Sequence, residues 1–159
     1  GFIADRAAGH LESLGVNSAI VNFGGNIVAI GSNGKDPFKI GIKDPNSEAG
    51  DILGAVTVSD ATVVTSGVYE RCFEQNGKTY HHILDVETGY PVDSDVLSVT
   101  LVAPKGYSGV CDALSTTCLI YGVEEGMKLI EGSDNVDAIF VNRDGEILMT
   151  SGMDYFEER

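Results

Sequence analysis

The sequence predicts an α+β fold, a largely antiparallel sheet with packed helices. Three observations carry that prediction. Short apolar runs with strand periodicity recur along most of the 159 residues. Glycine-rich turns, rather than helices, separate these runs. Helical periodicity is confined to one stretch at the start and one beyond residue 110.

The elements follow in order. Phe2, Ile3, Ala7, Leu11 and Leu14 recur at three- and four-residue steps, which predicts a helix over 2–14 stopped at Gly15. The apolar run Ala19–Phe23 reads as a buried strand. Gly24-Gly25-Asn26 turns the chain into a second strand, Ile27–Ile30. Phe38, Ile40 and Ile42 alternate with Lys39, Gly41 and Lys43, a half-buried strand ended by Asp44-Pro45. Residues 46–51 are polar and read as a loop, and strands follow over 54–58 and 61–65, with Ser66-Gly67 breaking the pattern. Asn76-Gly77 is a strong hairpin signal between 69–74 and 78–84. Glu87 to Pro91 is a turn cluster, and 97–102 is a strand. Val110–Tyr121 is helical, with Cys111, Leu114, Cys118 and Tyr121 on one stripe, and a second helix covers 124–130. Arg143-Asp144-Gly145 joins a last pair of strands, 137–141 and 146–150.

Composition narrows the function. A net charge of −14 argues against nucleic acid and anionic membranes as partners, because phosphate backbones are bound by Lys and Arg. It would also repel a bare dinucleotide, so a site for one needs a cation or backbone amides. Solubility alone is the other reading of the acidity. Cys72, Cys111 and Cys118 form no CxxC pair, and their odd number argues against a disulfide framework. Cys111 and Cys118 read as buried thiols. No run approaches the roughly 18 apolar residues of a membrane helix. The chain lacks an initiator Met and opens on a motif, so an upstream portion is expected to be absent and targeting signals cannot be read.

Four stretches could carry chemistry. Asp112 and Thr116 stand at i and i+4, so their oxygens share a helix face and suit a hard cation such as Mg2+. Alternatively, Asp112 caps a helix starting at Ala113. His81 and His82 point to opposite faces of a strand, which speaks against a shared zinc. Either could be a general base, or simply one exposed and one hydrogen-bonded His. Thr65-Ser66-Gly67 presents small residues whose N–H groups could receive a phosphate, as could Arg71 unless Glu70 or Glu74 pairs with it. The bland alternative is a strand-ending turn. Asn22-Phe23-Gly24-Gly25-Asn26 allows close backbone approach but is no dinucleotide fingerprint, since GxGxxG and a following helix are missing.

In combination these stretches resemble the ApbE-type FAD:protein FMN transferase family. The resemblance lies in GFIADRAA at 1–8, NFGGNI at 22–27, GIKDP at 41–45 and TSGVYER at 65–71. It continues in HHILDVETGYPV at 81–92, SVTLVAP at 98–104 and DALSTT at 112–117. It implies a T-fold-like core and an enzyme that cleaves FAD, joins FMN to a Thr or Ser of a target flavoprotein and releases AMP. It further implies Mg2+ on Asp112 and Thr116, with Ser115 at a third ligand position. It makes His82 the base for the acceptor hydroxyl, and Leu84 a backbone contact to FAD beside Ser66 and Gly67. Asp85 would orient His82 or cap a turn. Family members carry Asp-Pro where this chain has Asp85-Val86.

The same resemblance makes residues 1–159 the C-terminal portion of a flavin transferase catalytic domain. Its N-terminal portion would bring further flavin contacts and another magnesium ligand. An extracytoplasmic, lipid-anchored or periplasmic location is expected from the family alone. The competing expectations are an FAD-binding or FAD-hydrolysing protein of the same fold, an inactive fragment, and an acidic interaction module.

Overall fold

The structure, a computed structural model, describes residues 1–47 and 49–159. Helix α1 spans Phe2–Ser13. Strands β1 (Ser18–Phe23), β2 (Asn26–Gly31), β3 (Phe38–Lys43), β4 (Ile52–Val58) and β5 (Ala61–Gly67) follow. The hairpin β6 (Cys72–Gln75) and β7 (Lys78–His81) comes next, then β8 (Val96–Pro104). Helix α2 (Ser108–Glu131) precedes β9 (Asp137–Asn142), β10 (Ile147–Met149) and β11 (Phe156–Glu158).

Six strands form one antiparallel sheet in the order β1-β2-β5-β8-β9-β10, and β11-β4-β3 form a second. The period of two along each strand separates two cores. Val64, Val99, Leu101, Ala138 and Phe140 face α2, where they meet Cys111, Cys118, Leu119 and Ile130. Val63, Val102 and Ile139 face the smaller sheet, where they meet Ile40, Ile42, Val56 and Val58. The large sheet is therefore the middle layer. Helix α1 buries Ala4 and Ala8 on Val28 and Ile30. Since Val28 pairs with Thr62, which bonds Ser108 of α2, both helices lie on one face. Burial of each large aliphatic side chain contributes about 1.5–3 kcal/mol.

Helix α2 breaks at Gly122, whose φ of 83° lies in the left-handed region, matching the expected gap between two helices. The Asp95 carboxylate accepts from the Val123 N–H at 3.0 Å where the helix restarts. Beyond the break, a Cβ on Gly126 would lie 2.9 Å from the Phe140 ring, so close packing on the sheet needs glycine there.

Several expectations are corrected. The run Ala19–Phe23 is an edge strand, not a buried one; β1 pairs only with β2, leaving Ile20 and Phe23 about half exposed. Strand β5 does not break at Ser66 but runs through Gly67, because β8 is long enough to pair with both. The hairpin arms are shorter than expected and β6 is exposed, with Phe73 stacked on Tyr80 at 5.2 Å. Tyr121 is exposed; the buried stripe of α2 runs instead through Cys111, Ser115, Cys118 and Leu119. Strand β11 was not expected. No helix among the described residues is long and apolar enough to cross a membrane.

Candidate active site

The β1–β2 hairpin places the first site residue. Gly24 and Gly25 have φ of 58° and 91°, and Phe23 pairs with Asn26, a two-residue loop with both central residues left-handed. A Cβ on Gly25 would lie 2.9 Å from the Thr65 carbonyl, so glycine is required there. Asn26 then opens β2 opposite Val64, on the face turned to the helices. Its Nδ2 donates to Asp112 Oδ1 at 3.3 Å. One residue pair further along that face, Ser66 Oγ meets Ser115 Oγ at 2.8 Å.

The N-termini of the two helices meet at this point. Asp5 of α1 accepts from the Ser108 and Gly109 N–H groups at 3.2 and 3.0 Å, capping α2 from outside its own sequence. Tyr107, at the local cap position, supplies no side-chain cap. The Gly1 nitrogen donates to Asp112 Oδ2 at 2.7 Å. Asp112 is thus inside α2 and does not cap it, which removes the capping alternative. Its side chain stays 46% exposed. The Thr116 hydroxyl donates to the Asp112 carbonyl at 3.1 Å and keeps lone pairs to offer. Ser115 is fully buried, and its hydroxyl is shared between the Asp112 carbonyl and Ser66.

The second group sits after β7. Burial alternates from 81 to 84: His81 and Ile83 are buried, His82 and Leu84 exposed. The two histidines do face opposite ways. Ile83 is embedded in the core shared with Cys111 and Cys118, which holds His82 and Leu84 on the α2 side of the sheet. The segment closes on itself: Val92 N–H donates to the Ile83 carbonyl at 3.1 Å and Asp85 N–H to the Tyr90 carbonyl at 2.9 Å. Leu84 and Pro91 form the bridge between these bonds, so the Leu84 N–H and C=O point away from the ladder. The Asp85 carboxylate accepts from the Glu87 and Thr88 N–H groups and caps the turn. Those two bonds hold it below the usual carboxylate range.

His81 is 9% exposed; its Nε2 lies 3.2 Å from the Val92 carbonyl and its Nδ1 is buried without a partner. Burial holds its pKa below the ordinary value. It lines a cavity of about 680 Å³ with Tyr69, Phe73, Val92 and Arg143, which includes neither His82 nor the Asp112 cluster.

Asp112, Ser115, Thr116 and Ser66 are thus brought together, and His82 and Leu84 stand on a separate segment linked to them through the core. Val68 N–H bonds the Leu97 carbonyl, so alternation commits the Ser66 N–H to β8. The Gly67 N–H points the other way, past the end of the β1–β2 hairpin. Asp5 and Asn26 are site residues that sequence reasoning missed. An acidic residue in a first helical turn is too common to signal a tertiary cap, and Asn26 drew notice only through its glycines.

The side-chain atoms with lone pairs to offer around Asp112 are all oxygens. Among the described residues no three His, Cys, Asp or Glu side chains gather to hold a metal ion. One carboxylate and one hydroxyl, with the buried and unpartnered Oδ1 of Asn26 beside them, fit Mg2+. That ion binds oxygens, keeps several waters and shares substrate phosphates.

An antiparallel α+β domain with an oxygen-lined cluster between helix and sheet is the class this architecture defines. Residues 1–140 match the model of the ApbE family, and the chain belongs to that family. It is 39% identical over 151 residues to an FAD:protein FMN transferase of Klebsiella pneumoniae (strain 342), covering 95% of this chain and 46% of that protein. It is 38% identical over 162 residues to the FAD:protein FMN transferase of Treponema pallidum (strain Nichols), covering 96% and 44%. The crystal structure of the ApbE protein from Thermotoga maritima is similar with a TM-score of 0.87 at 34% identity, covering all of this chain and 51% of that one. The flavin transferase ApbE from Vibrio cholerae gives 0.77 at 30% identity, covering 97% and 49%. The chain spans about half the length of the curated relatives it matches.

Proposed function

We propose that the full-length protein transfers FMN from FAD to a Thr or Ser hydroxyl of a target flavoprotein, releasing AMP, with Mg2+ held at Asp112 and Thr116. The observation that carries this reading is the Asp112 cluster in a chain whose relatives are FAD:protein FMN transferases. In the reaction the acceptor oxygen bonds to the FMN phosphorus, the bond from that phosphorus to the AMP oxygen breaks, and AMP leaves. Mg2+, when bound, would neutralise pyrophosphate charge and stabilise the leaving phosphate.

The chain's own residues have separate tasks. Asp112 keeps lone pairs beyond its two hydrogen bonds and remains half exposed, so it can face a cation. Thr116 offers its hydroxyl oxygen on the same helix face. Buried Ser115, tied to Ser66, holds α2 against β5 at the height of Asp112 and acts as a support rather than a ligand. His82 is exposed on a closed, capped segment, where a ring nitrogen can take the proton of the acceptor hydroxyl. The outward-facing main chain of Leu84 and the Gly67 N–H are the groups offered to FAD.

Incubating the full-length protein with FAD, Mg2+ and the acceptor flavoprotein should attach flavin covalently, read as in-gel fluorescence and a mass increase on the acceptor. Asp112→Ala should abolish the product, and unchanged transfer by that variant would overturn the metal assignment. Free FMN and AMP with no covalent product would identify FAD hydrolysis instead.

A further inference from the structure

We propose that Asn26 is the positioning residue of this metal site: its Nδ2 fixes the Asp112 carboxylate, and its Oδ1 accepts a hydrogen bond from a water on the cation. The inference rests on the Mg2+ reading above. Only a donor can face the Asp112 Oδ1, so the amide orientation is settled by chemistry and Nδ2 is the atom at 3.3 Å. Oδ1 is then turned away, buried, and without a partner among the described residues. A buried acceptor with no donor is costly. Its place beside a half-exposed carboxylate points to a donor that arrives with the ligand.

The backbone makes Asn26 a stiff support. It follows a two-glycine turn whose second residue accepts from the Thr65 N–H at 2.9 Å, and it stands two residues before Val28, which is fully buried. Its pairing with Val64 sets its face of the sheet. Side chains that hydrogen-bond a ligating carboxylate orient it, and their loss typically weakens metal binding about 10–100-fold.

The test is calorimetric titration of Mg2+ into the full-length protein with FAD at saturation, alongside thermal melting in EDTA. Asn26→Leu should weaken Mg2+ binding about 10–100-fold while leaving the metal-free melting temperature unchanged or higher. Unchanged Mg2+ affinity overturns the proposal, as does a drop in metal-free melting with no change in titration, which would make Asn26 structural. Asn26→Ser, a smaller change, should weaken Mg2+ binding in the same way and serves if the Leu variant does not fold. Asp112→Asn separates the two layers. If it leaves Mg2+ binding intact, the underlying metal assignment fails; if it abolishes binding while both Asn26 variants bind normally, only the role of Asn26 fails.

Discussion

Replacing Asp5 by Ala should destabilise the protein through a helix to which Asp5 does not belong. The carboxylate takes the N–H groups of Ser108 and Gly109, the first donors of α2. Loss of an N-cap costs about 0.5–2 kcal/mol. The upper end applies here because Ser108 is fully buried, so water cannot replace the carboxylate, and Tyr107 supplies no substitute. The charge also sits favourably at the positive end of α2. A loss of about 2 kcal/mol corresponds to a fall of about 4–8 °C in melting temperature for a chain of this size. Asp5→Asn keeps one acceptor oxygen and loses the charge, so about 1 kcal/mol is expected. Urea denaturation measures both, as a shift of midpoint at constant slope. An Asp5→Ala variant within about 0.5 kcal/mol of the parent, the range of ordinary surface substitutions, would refute the tertiary cap.

Two further predictions concern buried groups. Burial raises the Cys111 and Cys118 thiols to about 12 and about 11, whereas Cys72 is exposed. An aromatic disulfide reagent at pH 8 should therefore find one fast thiol in the native protein and two more only in denaturant; a second fast thiol in the native state would contradict the packing of α2. His81 is held below its ordinary value of 6.5 by burial, so the unfolded chain binds more protons than the native one as pH falls below that value. Its contribution to stability is present above pH 6.5 and declines as pH drops toward the folded-state pKa. Unfolding free energies at pH 7.5 and 5.5 should differ less in His81→Leu than in the parent, and an equal difference would remove His81 as the cause.

Most of the sheet was legible because a half-buried strand alternates. Phe38, Ile40 and Ile42 announced β3, and Asn76-Gly77 announced the β6–β7 hairpin. The break in α2 was legible at Gly122 because periodicity stops and restarts around it. What was not legible depends on which strand neighbours which. Ala19–Phe23 has the composition of a central strand and lies at the edge, with β2 alone beside it among the described residues. Tyr121 continues the period of Cys111, Leu114 and Cys118, yet it stands exposed one residue before the break at Gly122. In the candidate site, the spacing of Asp112 and Thr116 and the alternation of His81 and His82 were visible, because both are local. The Asn26 and Asp5 contacts span 86 and 103 residues, and no local pattern encodes them.

Those separations also bear on how the chain acquires its native state. Gly1 and Asp112 are 111 residues apart, and Ser66 and Ser115 are 49 apart. Bringing such distant positions together carries a loop-closure entropy that grows with the logarithm of the enclosed length, and long-range strand pairings slow folding. Helix α2 alone aligns Asp112 with Thr116, but no helix or hairpin brings Asn26 and Ser66 to them. The complete site comes into being only when β2, β5 and α2 have docked. A ligand at Asp112 therefore meets an incomplete site in a partly folded chain, and its preference for the finished fold adds to global stability.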